Sequence, residues 1–304
     1  MKKDLLAVSD LSKDEVLSLF ELTRKLKKEP GSYSNALSGK CIGLVFEKPS
    51  NRTRVSFEIG MVQLGGYAVY LGPSELEMGK RESVKDVSCV LSRYLNGIIA
   101  RTYAHEELEE MARYATVPVI NGLSDKAHPC QALCDVFTVY EKFGTFKGVT
   151  LAYFGDGNNV LNSLLVAASK VGLAIRLAIP KGYEPDSAIV AKAKKFARQS
   201  GSKISLCNST EEAARGADVL YTDVWVSMGQ EKETAKRLKA FKAFQVNGRI
   251  LKLAKKGCLV MHCLPAHRGQ EITDEVIDSK HSIVYDQAEN RLHTEKAILL
   301  RFLQ

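Results

Sequence analysis

Short apolar runs alternate with amphipathic stretches along nearly the whole chain, and this alternation restricts the fold more than any other feature. Strand-like runs fall at Cys41–Phe46, Tyr67–Leu71, Gly97–Arg101 and Val117–Ile120, separated by helical spacing near 52–64, 83–95 and 105–115. A further helical segment runs from Pro129 to Phe143, after which "KFGTFKGVT" reads as a surface hinge. A second series follows, with strands near 149–154, 174–179, 203–207, 218–222 and 258–262. Strand–helix alternation given twice over predicts an α/β protein of two doubly wound, parallel-sheet, Rossmann-like domains. The boundaries expected are 1–145 and 146–286, with a closing helix over about 287–304 that packs back onto the first domain. Ser12-Lys13-Asp14-Glu15 is a capping box and opens a helix whose apolar face is Val16, Leu19, Phe20 and Leu26.

In such sheets ligands bind beyond the carboxyl ends of the strands. Six polar motifs sit there. Ser50–Arg54 follows the first strand, Arg101 ends the third, and His128-Pro129-Cys130-Gln131 opens the helix after the fourth. Gly155–Asn159, Asp223–Gly229 and His262–Gly269 follow strands of the second series. Six coincidences in one chain favour an active site in the cleft between the two domains.

The composition excludes several classes. At 304 residues, 45% hydrophobic and 26% charged, the chain has apolar material for two cores. Its net charge of +8 is spread and interleaved with acidic residues, which argues against a nucleic-acid tail and fits anionic small substrates or a lysine-rich solvated surface. No stretch approaches the about 18 apolar residues of a membrane span, and the N-terminal apolar run is too brief for a signal peptide. Seven cysteines without a CxxC pair indicate reduced, cytoplasmic usage. No nucleic acid and no membrane are expected as partners.

Each motif has a chemical reading and a plainer one. The first turn of a helix presents free N–H groups and a partial positive charge, so Ser50, Asn51, Arg52, Thr53 and Arg54 could form a receptor for a phosphate-sized dianion. A capped helix with two solvated arginines is the alternative. His128 and Gln131 are neighbours on one helix face and could meet a carbonyl and an amide, or could simply cap and solvate the helix. "FGDGNNV" has Val160 where a dinucleotide fingerprint needs its third glycine, and the next strand ends on Lys181 rather than an acid, so no nicotinamide cofactor is expected. Asn158 and Asn159 could offer amides to a polar ligand or serve as turn and cap residues. Asp223 could pair with an ammonium group on a loop able to close, or the loop could be structural, anchored by Trp225. His262, Cys263 and His267 suggest zinc, but three or four ligands must converge; Cys130 and Cys134 lie in another element, so no metal is expected. Cys263 beside positive groups could be a nucleophile or a substrate contact, or a buried inert cysteine.

Taken together, S-x-R-T-R at Ser50–Arg54, H-P-x-Q at His128–Gln131, D-x-W-x-S-M-G at Asp223–Gly229 and H-C-L-P at His262–Pro265 resemble the carbamoyltransferases over essentially the whole chain. The last two motifs fit the ornithine branch rather than the aspartate branch. The resemblance implies a carbamoyl phosphate-binding domain at 1–145 and an ornithine-binding domain at 146–286. It implies transfer of a carbamoyl group from carbamoyl phosphate to the side-chain amine of L-ornithine, with no cofactor and no covalent intermediate. Ser50, Asn51, Arg52 and Thr53 would then hold phosphate. Arg101, His128, Gln131 and Arg291 of "ENRLHT" would grip the carbamoyl group, with Cys263 and Leu264 beside the attacking amine. Asn159, Asp223, Ser227 and Met228 would bind ornithine. The family's homotrimeric core, or a multiple of trimers, brings a loop toward a neighbour's site. Here that loop, "ELEMGKRES", carries Glu77 where the family usually has Gln or His. Glu77 read as helical would lie one turn from Lys80 and Arg81, predicting that it pairs with one of them while a cation faces the neighbour's anion.

Overall fold

A computed structural model describes residues 3–79, 81–227 and 229–304. The chain divides into two units, Met1–Phe137 with Glu289–Gln304, and Thr138–Ala288. In the first, α1 (Lys13–Lys28) precedes β1 (Cys41–Phe46), α2 (Asn51–Gln63), β2 (Tyr67–Leu71), α3 (Pro73–Leu76), α4 (Val84–Tyr94), β3 (Gly97–Arg101), α5 (His105–Tyr114), β4 (Val119–Leu123) and the part of α6 (Pro129–Phe143) up to Phe137. Its sheet is all parallel, in the order β2-β1-β3-β4. Ser12 and Glu15 form the expected capping box, each accepting the other's backbone N–H. One sheet face, with Val45, Ile98, Ala100 and Val119, packs on Val84 and Val87 of α4 and on Leu108 and Met111 of α5.

The second unit continues with β5 (Thr150–Phe154), α7 (Asn159–Val171), β6 (Ala174–Ala178), α8 (Ser187–Ser200), β7 (Ile204–Leu206), α9 (Thr210–Ala214), β8 (Val219–Thr222), α10 (Thr234–Phe241), α11 (Gly248–Leu253), β9 (Leu259–His262) and α12 (Asp274–Ile277). The last helix, α13 (Val284–Leu303), carries the chain into Glu289–Gln304. Its five parallel strands run β7-β6-β5-β8-β9. Ala152, Phe154, Leu220 and Val260 bury against α9, α11 and α12, and α7 is buried from Val160 to Val171. Among the described residues no helix is long and apolar enough to cross a membrane.

Two elements differ from the sequence pattern. The fourth strand, expected at Val117–Ile120, begins at Val119 and runs on through Asn121 and Gly122. Pro118 has no N–H to give a ladder. Asn121, a usual turn former, stays extended because its N–H donates to the Leu5 carbonyl and its side-chain amide to that of Leu6. The final helix begins at Val284, ahead of the expected start near 287. It lies close against α2: a Cβ on Gly60 would stand 3.3 Å from Lys296 Cγ and 3.6 Å from Leu299 Cδ1. That approach brings Arg291 to the first turn of α2.

Candidate active site

β1 ends at Phe46 and the chain turns into α2, whose N-cap is Ser50, extended at φ −156° and accepting the Thr53 N–H at 3.3 Å. The N–H groups of Asn51 and Arg52 have no place in the helix ladder and belong to the positive pole of a 13-residue helix. Arg54 points elsewhere, paired with Glu58 at 3.0 Å and stacked 3.9 Å over Tyr70. Phe46 registers against Arg101 at the end of the neighbouring strand. There a bulge skips Gly122, so that Ala100 faces Asn121 but Arg101 faces Leu123. Bulges of this kind re-aim a side chain next to a site. Arg101 is buried, no carboxylate pairs with it among the described residues, and burial together with Arg291 and Arg52 lowers its pKa to about 10.

Arg291 enters from α13. Its Nη1 donates to Gln131 Oε1 at 2.5 Å, and its Nη2 to Thr53 Oγ1 at 3.2 Å. Gln131 Nε2 donates to buried Asp135 one turn along α6, at 2.8 Å, which fixes the amide's orientation. His128, just before Pro129, is buried beside the same cations. Burial, then Arg291, Arg101 and Arg52, drives its pKa well below the ordinary value. Its imidazole is therefore neutral near pH 7. Protonation favours the unfolded chain, so His128 withdraws stability as pH falls below about 6.5. We expect the imidazole nitrogens of labelled protein to keep neutral chemical shifts down to pH 5.5; an inflection above pH 6 would overturn the assignment. Structure thus gathers Ser50, Asn51, Arg52, Thr53, Arg101, His128, Gln131 and Arg291 into one half-site.

In the second unit Asp223 follows β8 and Cys263 follows β9. Asp223 is 4% exposed; its Oδ1 accepts the Cys263 thiol at 3.0 Å and its Oδ2 the Asn158 amide at 2.8 Å. Asn158 makes this contact, while its own Oδ1 caps α7 through the N–H groups of Val160 and Leu161. The signal available in sequence was position, since a residue just before a helix start both caps and projects. Gly157 is explained by packing rather than by a nucleotide: a Cβ there would meet the backbone of Tyr183, Glu184 and Pro185 at 2.3–2.5 Å. Arg237 of α10, buried, donates from Nε to the Trp225 carbonyl at 2.6 Å and pairs with Asp156, holding the 223–229 loop at its base. The Ser227 N–H donates to Gln230 Oε1 at 3.1 Å. Met228 lies outside the described residues.

The loop after β9 is held from within. The Leu264 N–H donates to His262 Nδ1 at 2.9 Å, which leaves Nε2–H to donate to buried Glu271 at 3.0 Å. Glu271 also accepts the His267 N–H, and Leu264 is left-handed at φ 57°. Single non-glycine residues in that region are strained and concentrate at ligand sites. His267 is exposed, whereas Asp223, His262 and Cys263 have ligand atoms within 4.8 Å of one another. His262 could ligate only by giving up one of its two hydrogen bonds.

Glu77, expected as helical, is not part of a helix. α3 closes after four residues, and Glu77 is its C-cap in the left-handed region at φ 42°. Glu77 and Arg81 are joined by a backbone hydrogen bond of 2.9 Å, and no ion pair links them among the described residues. Lys80 lies outside the described residues.

The sequence profile of the aspartate/ornithine carbamoyltransferase carbamoyl-P binding domain matches residues 3–141, and that of the Asp/Orn binding domain matches 147–302. An ornithine carbamoyltransferase of Archaeoglobus fulgidus is 52% identical over 303 residues, 99% of this chain and 97% of that protein. The solved ornithine carbamoyltransferase of Pyrococcus furiosus superposes with a TM-score of 0.94 at 50% identity, covering 98% of this chain and 96% of that one. That of Thermus thermophilus gives 0.90 at 47%, covering all of both chains. The chain belongs to the aspartate/ornithine carbamoyltransferase family.

Proposed function

We propose that the protein transfers the carbamoyl group of carbamoyl phosphate to the side-chain amine of L-ornithine, giving L-citrulline and phosphate. The observation that carries this reading is the gathering of Arg52, Arg101 and Arg291 around a neutral, buried His128 at the mouth of a capped helix. Such a site suits a dianion whose attached carbonyl gains negative charge. Phosphate binds at the N–H groups of Asn51 and Arg52, at Ser50 and Thr53, and at the Arg52 guanidinium. Arg101, His128 and Arg291 donate to the carbonyl oxygen, and Gln131 accepts from the carbamoyl amide. The uncharged amine attacks the carbamoyl carbon, a tetrahedral oxyanion forms, and the C–O bond to phosphate breaks as the amine proton leaves, with phosphate the ready acceptor. One preorganised donor at such an oxyanion is worth about 3–4 kcal/mol in other acyl transfers, and proximity supplies much of the rest. Phosphate is a good leaving group, so this route uses neither metal nor covalent intermediate.

Ornithine is held by Asp223 at its α-ammonium, with Asn159, Ser227 and Met228 completing its site. Asn158 joins them as the residue that orients Asp223. Cys263 and the Leu264 backbone lie beside the reacting amine. Residues 1–145 with 287–304 serve carbamoyl phosphate and 146–286 serve ornithine. Seven free cysteines fit a cytoplasmic setting. The reading is tested by offering ornithine, acetylornithine, putrescine and aspartate with carbamoyl phosphate. Ornithine alone should yield product at a substantial rate, and equal use of acetylornithine or aspartate would reject it.

A homotrimer is part of the same proposal. The outer face of α2 exposes Val55 at 47%, Ile59 at 43% and Val62 at 64%, spaced as one helical stripe, and the edge strand β2 beside it exposes Tyr67 and Val69. A contiguous apolar face on an otherwise charged surface marks an interface. In that assembly Glu77, Lys80 and Arg81 would reach a neighbour's site. We expect Val55→Glu with Val62→Glu to reduce the sedimenting species from trimer to smaller forms while each chain stays folded; an unchanged trimer would place the interface elsewhere.

A further inference from the structure

Arg291 has five N–H donors, and four are engaged among the described residues. Glu295, one helical turn on, takes two of them at a single oxygen, from Nε at 2.8 Å and from Nη2. Thr53 takes a second Nη2 hydrogen and Gln131 one from Nη1. Both Glu295 and Arg291 are buried, at 0% and 3% exposure. A guanidinium on a long side chain has a wide choice of orientations, and a carboxylate at i+4 on the same helix restricts it to one plane. The edge formed by Nε and Nη2 is thereby turned onto the helix. One Nη1 hydrogen remains for a ligand, on the side where Gln131 marks the amide. Unlike Arg291, Arg101 has no carboxylate partner among the described residues, so its orientation must come from elsewhere.

We infer that Glu295 is a positioning residue for the reaction: it holds Arg291 so that a single Nη1–H is aimed at the carbamoyl oxygen. The inference rests on the reading of Arg291 as a donor to that oxygen. Because it acts through Arg291, its loss should appear in kcat rather than in the binding of phosphate. Misplacing a donor by about 1 Å costs on the order of 10²-fold.

The test is a double-mutant cycle on the full chain, measuring kcat, KM for both substrates and the Kd of inorganic phosphate. Glu295→Ala should lower kcat by roughly 10²-fold and leave the phosphate Kd within about twofold. Glu295→Gln keeps an oxygen for Nε and should lose less. On an Arg291→Ala background both substitutions should be silent. Should Glu295→Ala fail to fold, the nearly isosteric Gln variant carries the cycle alone. Losses that add to those of Arg291→Ala, or Glu295 variants with full kcat while Arg291→Ala is slow, would overturn the inference alone. An Arg291→Ala enzyme with full kcat would instead overturn the role of Arg291 itself, and the inference with it.

Discussion

Arg101→Gln should lower kcat by about 10²–10³-fold and leave the melting temperature unchanged or higher. The size follows from removing one preorganised donor at a developing oxyanion, which costs about 2.7–4 kcal/mol of barrier in a comparable acyl-transfer site. The second half follows from where Arg101 stands. It is buried at the end of β3, pushed down to a pKa of about 10 by burial and by Arg291 and Arg52, and no carboxylate pairs with it among the described residues. It still carries its charge at pH 7. A buried cation facing two others destabilises the fold, and replacing it with a neutral amide of similar reach relieves that repulsion. Activity and stability therefore move in opposite directions, as they do where a site is strained for function. The measurement is kcat beside calorimetric Tm on the same preparation. A Tm lowered by several degrees with only a modest kcat loss would make Arg101 a structural residue.

Most of the architecture was legible because strand and helix periods differ, and the motifs were legible because parallel sheets put ligand groups at strand ends. Ser50–Thr53, Arg101, His128, Gln131, Asp223 and Cys263 all stand where that rule places them. Groups acting through other residues were harder to read. Glu295 and Asp135 each sit four residues beyond a site residue on a helix, so the spacing Arg291–Glu295 and Gln131–Asp135 was a usable signal that the apolar periodicity of those helices masked. Glu271 and Arg237 gave none, since each reaches its partner through a loop whose path only the fold decides. Glu77 lies in a stretch with several glutamates, which favours helix by propensity, but the helix that Pro73 opens is one turn long and Gly79 follows it in the left-handed region.

Asp223→Asn should raise KM for ornithine by roughly 30-fold or more and leave the Kd of carbamoyl phosphate for the free enzyme within about twofold. Asp223 is a buried carboxylate that receives two hydrogen bonds, from the Cys263 thiol and the Asn158 amide, yet meets no cation among the described residues. The buried guanidinium of Arg237 is taken by Asp156 and the Trp225 carbonyl. A buried charge is costly unless paired, so the site favours a ligand that brings a positive group. The α-ammonium of an amino acid supplies one, and losing one partner of a buried pair costs about 2–5 kcal/mol, which is a factor of roughly 30 to several thousand. Asparagine keeps the shape and accepts one of the two hydrogen bonds, so the loop from Asp223 to Gly229 should hold its place. Because the substitution removes an unpaired buried charge, Tm should not fall. Ornithine and carbamoyl phosphate titrations on the same variant decide the matter. Equal weakening of both ligands, or a fall in Tm of several degrees, would mean that Asp223 holds the loop together and that ornithine finds its cation partner elsewhere.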